Sequence, residues 1–169
     1  IIVTPIQLGY YYGAARIYGA FNTLYGPIGE AFYPHLASAG SVNHKKAKQI
    51  AKSFLYILIA IGFLFFLTVY FFTESIISLI LGENFLFAKN TLKIFAIVLP
   101  LTAISHVLGR QWLMVSGNEK DYARILLISS IIGVLSIIIT IRDFGIIAIP
   151  LSLIIYESLS IIMIINFIR

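Results

Sequence analysis

Residues Phe54 to Phe72, FLYILIAIGFLFFLTVYFF, carry no charge and no polar side-chain atoms beyond tyrosine and threonine hydroxyls. As a helix rising about 1.5 Å per residue, the run measures about 28 Å, close to the thickness of a bilayer's hydrocarbon core. Lys45, Lys46, Lys48 and Lys52 precede it, and such charges belong in headgroups or water rather than among acyl chains. Three later stretches are comparable. Ile94–Val115 is interrupted by Pro100 and carries His106, Gly109 and Arg110; Ile125–Ile141 and Ile146–Ile168 follow. Isoleucine-rich runs favour strands in water. In lipid the backbone must satisfy its own hydrogen bonds, so the helix wins.

Composition removes the soluble alternatives. Of 169 residues, 60% are hydrophobic and 11% charged, with mean hydropathy +0.98, against about a quarter charged in a soluble domain. A water-soluble enzyme, a disordered tail and a nucleic-acid module are excluded, and no nucleic-acid partner is expected. The net charge of +5 is read as membrane orientation. With no cysteine there is neither a disulfide framework nor a thiolate metal site. The opening Ile1-Ile2-Val3-Thr4-Pro5 lacks a cationic n-region and a small-residue cleavage site, so it is no signal peptide. Residues 1–8 read as the end of a preceding helix or its loop, as in a fragment or a chain without its N-terminal part.

The first span, residues 9–39, is the least obvious. Gly9, Gly13, Arg16, Ala20, Thr23, Pro27, Glu30 and Pro34 recur at steps of four and three, which places them on one helical face. Tyr10, Tyr11, Ile17, Tyr18, Phe21, Leu24 and Phe32 fill the others. The expectation is a helix kinked near Pro27, apolar toward lipid, with its small and charged face toward a bundle interior or watery cavity. Residues 74–82, too short to cross, read as an amphipathic interfacial helix with Glu74 near its start and Gly82 at its stop. The fold class is therefore all-α integral membrane: five spans (9–39, 54–72, 94–115, 125–141, 146–168) and one interfacial helix.

Basic residues near span ends set the topology. Lys45, Lys46, Lys48 and Lys52, then Lys120 and Arg124, then Arg169 fall on one side. Lys89, Lys93 and Arg142 fall on the other, partly offset by Glu74, Glu83 and Asp143. The lysine-rich side and the C-terminus are expected in the cytoplasm.

Several features taken in order resemble a known family. They are Gly9-Tyr10, Ala14-Ala15-Arg16-Ile17, Gly26-Pro27-Ile28 and Phe32-Tyr33-Pro34-His35-Leu36. The lysine-rich segment before a long apolar helix, Leu81-Gly82-Glu83-Asn84-Phe85 with Ala88 and Leu92, and the turn at Gly117-Asn118 continue the pattern. Together they are similar to the C-terminal part of polysaccharide (O-antigen or capsule-type) flippases, members of the multidrug/oligosaccharidyl-lipid/polysaccharide exporter superfamily. The resemblance implies a two-lobe, twelve-helix transporter in a bacterial or archaeal cytoplasmic membrane. This chain, 9–169, would supply the last five spans, and a missing N-terminal lobe would be its partner, since alternating access needs two bundles moving about one site. The implied cargo is an undecaprenyl-pyrophosphate-linked oligosaccharide. Membrane lipids and polysaccharide polymerase machinery are further implied partners.

Such cargo asks for a cationic groove through which pyrophosphate and sugars can pass. Arg16, inside the first span, presents a planar fork suited to phosphate oxygens; otherwise it snorkels to headgroups or pairs with an acid. Thr23 and Glu30 share its face as further candidate cargo contacts, Glu30 otherwise reading as structural or gate-forming. His106 and Arg110 share a face of the third span with Thr102 and Gly109; they are cargo contacts, or else a helix–helix hydrogen bond and a headgroup anchor. Glu157, near the middle of the fifth span, is either an ion- or proton-coupling group or a neutral acid bonded to a neighbouring helix. In the fourth span, Ser129, Gly133, Ser136 and Thr140 form a small polar stripe that close packing explains. No paired acidic motif, metal spacing or P-loop stands in the sequence, so no enzyme, cofactor or metal site is expected. The alternatives are a peptidoglycan-precursor flippase or drug/cation antiporter of the same superfamily, and a membrane-embedded glycosyl or prenyl transferase.

Overall fold

The computed structural model describes residues 4–42, 44–113 and 117–168, and the regular structure among them is entirely helical. The helices are α1 (Pro5–Thr23), α2 (Tyr25–Val42), α3 (His44–Phe71), α4 (Thr73–Ile80), α5 (Lys89–Ser105), α6 (Glu119–Phe144) and α7 (Ala148–Ile168). A 3-10 segment, Glu83–Ala88, leads into α5. A π-helical segment, His106–Leu113, continues it, and Gly145–Ile147 forms the turn between α6 and α7.

Local chemistry fixes the boundaries. Thr4 accepts the Gln7 amide while the Gln7 side chain accepts the Thr4 amide (3.3 and 2.9 Å), a capping box with Pro5 in the first turn. Residues 5–8, expected to end an earlier helix or loop, therefore open α1. The single kinked helix expected over 9–39 is two helices, interrupted at Leu24. Pro27, three residues on, has no amide to offer the Thr23 carbonyl, and the Leu24 amide turns back to Phe21 instead (3.2 Å). The four lysines 45–52 lie inside α3 rather than in a loop. The interfacial helix expected at 74–82 is Thr73–Ile80, and the chain leaves it through Gly82 at φ 89°, where a side chain would be strained.

Among the described residues three stretches are long and apolar enough to cross a membrane: Lys52–Phe71, Glu83–Arg110 and Glu119–Ile168. The last doubles back at Gly145 (φ 56°), so α6 and α7 each supply a pass. Of these windows, the one containing α5 is 56% buried, against 22% and 17% for the other two. α5 is the centre of the bundle, packed by α1, α3 and α7, and α7 also carries α6.

At the α3–α5 contact Gly62 faces Pro100 and Ala103, and the fully buried Tyr25 donates its hydroxyl to the Leu99 carbonyl (3.0 Å). Gly13 admits Leu81 and Phe85 against α1. Gly109 sits under the Tyr122 ring of α6.

The stripe of α1 does not face the interior of this bundle, one of the two places expected for it. The inward face of the helix is aromatic and aliphatic: Ala14 and Ile17 are buried, and Tyr10, Tyr11, Tyr18 and Phe21 pack against the core, Tyr18 stacking on Phe95 at 4.8 Å. Gly9, Arg16, Ala20, Thr23, Pro27, Glu30 and Pro34 are exposed, and of the stripe only Gly13 is buried. The small and charged face thus lies outside this bundle, because the rings alone carry enough apolar area to hold α1 on α5.

Candidate functional site

α5 and α7 enclose a carboxyl group. Glu157 of α7 is 7% exposed. Its Oε1 accepts the Thr102 hydroxyl (3.2 Å) and its Oε2 the Ser105 hydroxyl. Thr102 and Ser105 stand one helical turn apart on α5, so both reach one carboxyl across the interface. Each hydroxyl also has a carbonyl of its own helix within range: Val98 for Thr102 (3.1 Å) and Thr102 for Ser105 (3.2 Å). From α1, Tyr18 brings its hydroxyl to 3.5 Å from Thr102 Oγ1. Tyr18, Tyr122 of α6 and Tyr156 all lie within electrostatic reach of the carboxyl.

Arg110 interacts electrostatically with Tyr122 and with His106. His106 is half-buried and its ring lies 6.2 Å from that of Tyr25. Arg110 is exposed on the π-helical segment. Helices of this kind gather at functional sites because their register lets side chains leave the regular face. Five elements thus converge on one polar region inside an apolar bundle.

The residues singled out from the sequence divide into two groups. Glu157, His106 and Arg110 belong to the region just described, with Tyr122 in electrostatic reach of both the carboxyl and the guanidinium. Arg16, Thr23 and Glu30 lie apart, on the open face of α1 and α2; Thr23 donates its hydroxyl to the Ala20 carbonyl (2.9 Å). Among the described residues no cluster of histidines and carboxylates could hold a metal. Sequence reasoning missed Ser105 and the roles of Thr102 and Tyr18. The readable signal was hydroxyl residues at 102 and 105, three apart in an apolar helix and on the face of His106 and Gly109.

The small stripe of α6 is a packing surface. Ser129 and Gly133 are buried, a Cβ on Gly133 would stand 3.4 Å from that of Tyr156, and Ser136 and Thr140 donate to carbonyls of their own helix.

A bundle helical throughout its described residues, with three apolar membrane-length stretches among them, belongs to the polytopic membrane proteins. The MatE family profile matches residues 37–139, more than half of the chain. The chain belongs to the MatE family. It is 26% identical over 136 residues to a protein of Escherichia coli (strain K12) named "Putative O-antigen transporter", a match covering 79% of this chain and 32% of that protein. The chain thus spans about a third of the length of that relative. No solved structure matches it significantly.

Proposed function

We propose that this chain is part of a transporter that moves undecaprenyl-pyrophosphate-linked oligosaccharide repeat units across the cytoplasmic membrane for surface polysaccharide biosynthesis. The carrying observation is the open face of α1–α2, where Arg16 stands among glycine, alanine, threonine and proline rather than against this bundle's core. A guanidinium on a small-residue face suits an anionic pyrophosphate and leaves room for sugars. The relationship to a protein named for O-antigen transport supports the cargo class. In this reading α1–α2 supplies a fifth pass, the face carrying Arg16, Thr23 and Glu30 looks onto a cavity completed by a second, N-terminal lobe, and the N-terminal ends of α3 and α6 and the C-terminus are cytoplasmic. Lys52, Lys120 and Arg124 gather at those ends, as the positive-inside rule requires. His106 and Arg110 line the cytoplasmic approach, Glu157 couples transport to an ion gradient, and the polymerase machinery takes up the product. The chain carries out no covalent chemistry.

The test is genetic and chemical. Disrupting the gene causes the lipid-linked repeat to build up on the cytoplasmic leaflet with loss of surface polysaccharide, and the intact gene restores both. At equal expression, Arg16→Ala abolishes the rescue and Arg16→Lys does no better, because an ammonium lacks the fork. Full activity in Arg16→Ala removes the assigned role. A repeat that never forms would return the transferase reading. Unchanged lipid and sugar pools would point to drug or peptidoglycan-precursor export.

A further inference from the structure

The Glu157 carboxyl can hold one proton more or one proton fewer without leaving itself, Thr102 or Ser105 unpaired. When Glu157 is ionised, Thr102 donates to Oε1 and Ser105 to Oε2, and Tyr18 can donate to the free lone pair of Thr102 Oγ1. When a proton sits on Oε1, the carboxyl donates to Thr102 Oγ1, and the Thr102 hydroxyl turns to the Val98 carbonyl already 3.1 Å away. When it sits on Oε2, Ser105 accepts it and turns to the Thr102 carbonyl at 3.2 Å. A hydroxyl has one proton and two lone pairs, so each arrangement is complete. The proton is the only atom added, and the heavy atoms keep their places. A buried carboxylate or carboxyl without such partners would lose the full desolvation energy of its unpaired group.

We propose that Thr102 and Ser105 form a hydroxyl switch for Glu157, each exchanging the carboxylate for a carbonyl of its own helix as the proton arrives. They are positioning residues, and the proposal rests on the reading of Glu157 as the coupling group, naming the coupled ion as a proton. The titratable and charged groups around the switch are Tyr18 from α1, Tyr122 from α6 and Tyr156 from α7, with His106 next to Ser105 in the chain and Arg110 in electrostatic reach of Tyr122 and His106. Through Tyr18 the switch also reaches α1, the helix whose open face carries Arg16.

The experiment is infrared difference spectroscopy of the full-length protein in lipid vesicles over a pH titration, with no cargo and no gradient. Wild type is expected to show a protonated-carboxyl stretching band that Glu157→Gln removes. Ser105→Ala and Thr102→Val each move that band to higher wavenumber, since the acid loses a hydrogen-bond partner. Thr102→Ser keeps the hydroxyl and restores the wild-type position, which separates the switch from packing. No such band in wild type, a band in the same place in both hydroxyl-free variants, or one that added sodium abolishes would each overturn the proposal. The band is read without transport. If it behaves as expected while Glu157→Gln leaves the gradient dependence of transport unchanged, the coupling reading fails and the hydroxyl switch stands.

Discussion

Gly62 offers the sharpest test of the packing, because two opposed effects of one methyl group differ in size. A Cβ there would lie 3.0 Å from Pro100 Cα, 3.0 Å from Ala103 Cβ and 3.1 Å from the Tyr25 hydroxyl. Ordinary contact begins at 3.4 Å, so α3 and α5 must part by 3.4 − 3.0 = 0.4 Å. Two of the three obstructing atoms are backbone or fixed to it and cannot rotate away. The third belongs to a fully buried ring bonded to the Leu99 carbonyl. Overpacking of this kind costs about 1–3 kcal/mol, whereas replacing a helical glycine by alanine returns about 1 kcal/mol of helix propensity. The net expectation for Gly62→Ala is a loss of about 0–2 kcal/mol. Gly19, inside α1 with nothing within 4 Å of a new Cβ, isolates the second effect, and Gly19→Ala gains up to about 1 kcal/mol. The quantity to measure is the difference between the two variants, by equilibrium unfolding of the detergent-solubilised protein in a denaturing-detergent titration. It should equal the overpacking energy, about 1–3 kcal/mol. Equal effects at the two positions would refute the claim that α3 and α5 meet through Gly62.

Gly109→Ala meets the Tyr122 side chain and should destabilise by about 1–3 kcal/mol; in a Tyr122→Ala background, where the ring is gone, the same change should be neutral to slightly stabilising, and an additive double mutant would contradict the contact. At the other end of the bundle, Lys89 bonds to Glu74, and that bond, then the charges of Lys89 and Lys93, hold the Glu74 carboxyl below its usual range. A depressed carboxyl stabilises the fold above its unfolded pKa and loses that contribution as pH falls through its folded pKa. Wild type should therefore unfold at higher denaturant than Glu74→Gln at pH 7, the gap closing on acidification; a gap independent of pH would count against the pair.

The apolar passes were legible because length and absence of charge suffice to define them: Phe54–Phe72 and α6–α7 needed nothing from tertiary structure. Two local signals were present and passed over. Thr4-Pro5-Ile6-Gln7 is a capping box with an early proline, which marks a helix start, and a run of lysines is no obstacle to a helix, as the first turns of α3 demonstrate. The stripe on α1 was legible as a face, but its direction was not. Periodicity gives the angle between faces and says nothing about which one meets the core. That choice was made by Tyr18 on Phe95 and Leu81 on Gly13, partners 77 and 68 residues distant in sequence. The hydroxyl cluster was hidden for the same reason: Thr102 and Ser105 look like ordinary helix-backbone donors until α7 brings Glu157 between them.

Placing α1 correctly changes how the two charged sites relate. Arg16 and Tyr18 are two residues apart, and in a helix of 3.6 residues per turn they point about 200° from each other. Arg16 therefore faces out because Tyr18 faces in. The Tyr18 hydroxyl lies 3.5 Å from Thr102 Oγ1, and Thr102 also donates to Glu157, so on the reading proposed above α1 carries Arg16 on one face and a contact to the Glu157 cluster on the other. Any rotation of α1 that carries Arg16 around its axis must stretch or break the Tyr18–Thr102 contact. Any change at Thr102 alters the hold on that rotation. Tyr18→Phe, which keeps the ring on Phe95 and removes only the hydroxyl, should leave folding near wild type while uncoupling the two faces. The Glu157 carboxyl band would persist, and rescue by the Arg16 site would no longer vary with the proton gradient. Rescue that tracks the gradient as in wild type would mean that α1 takes no part in connecting them.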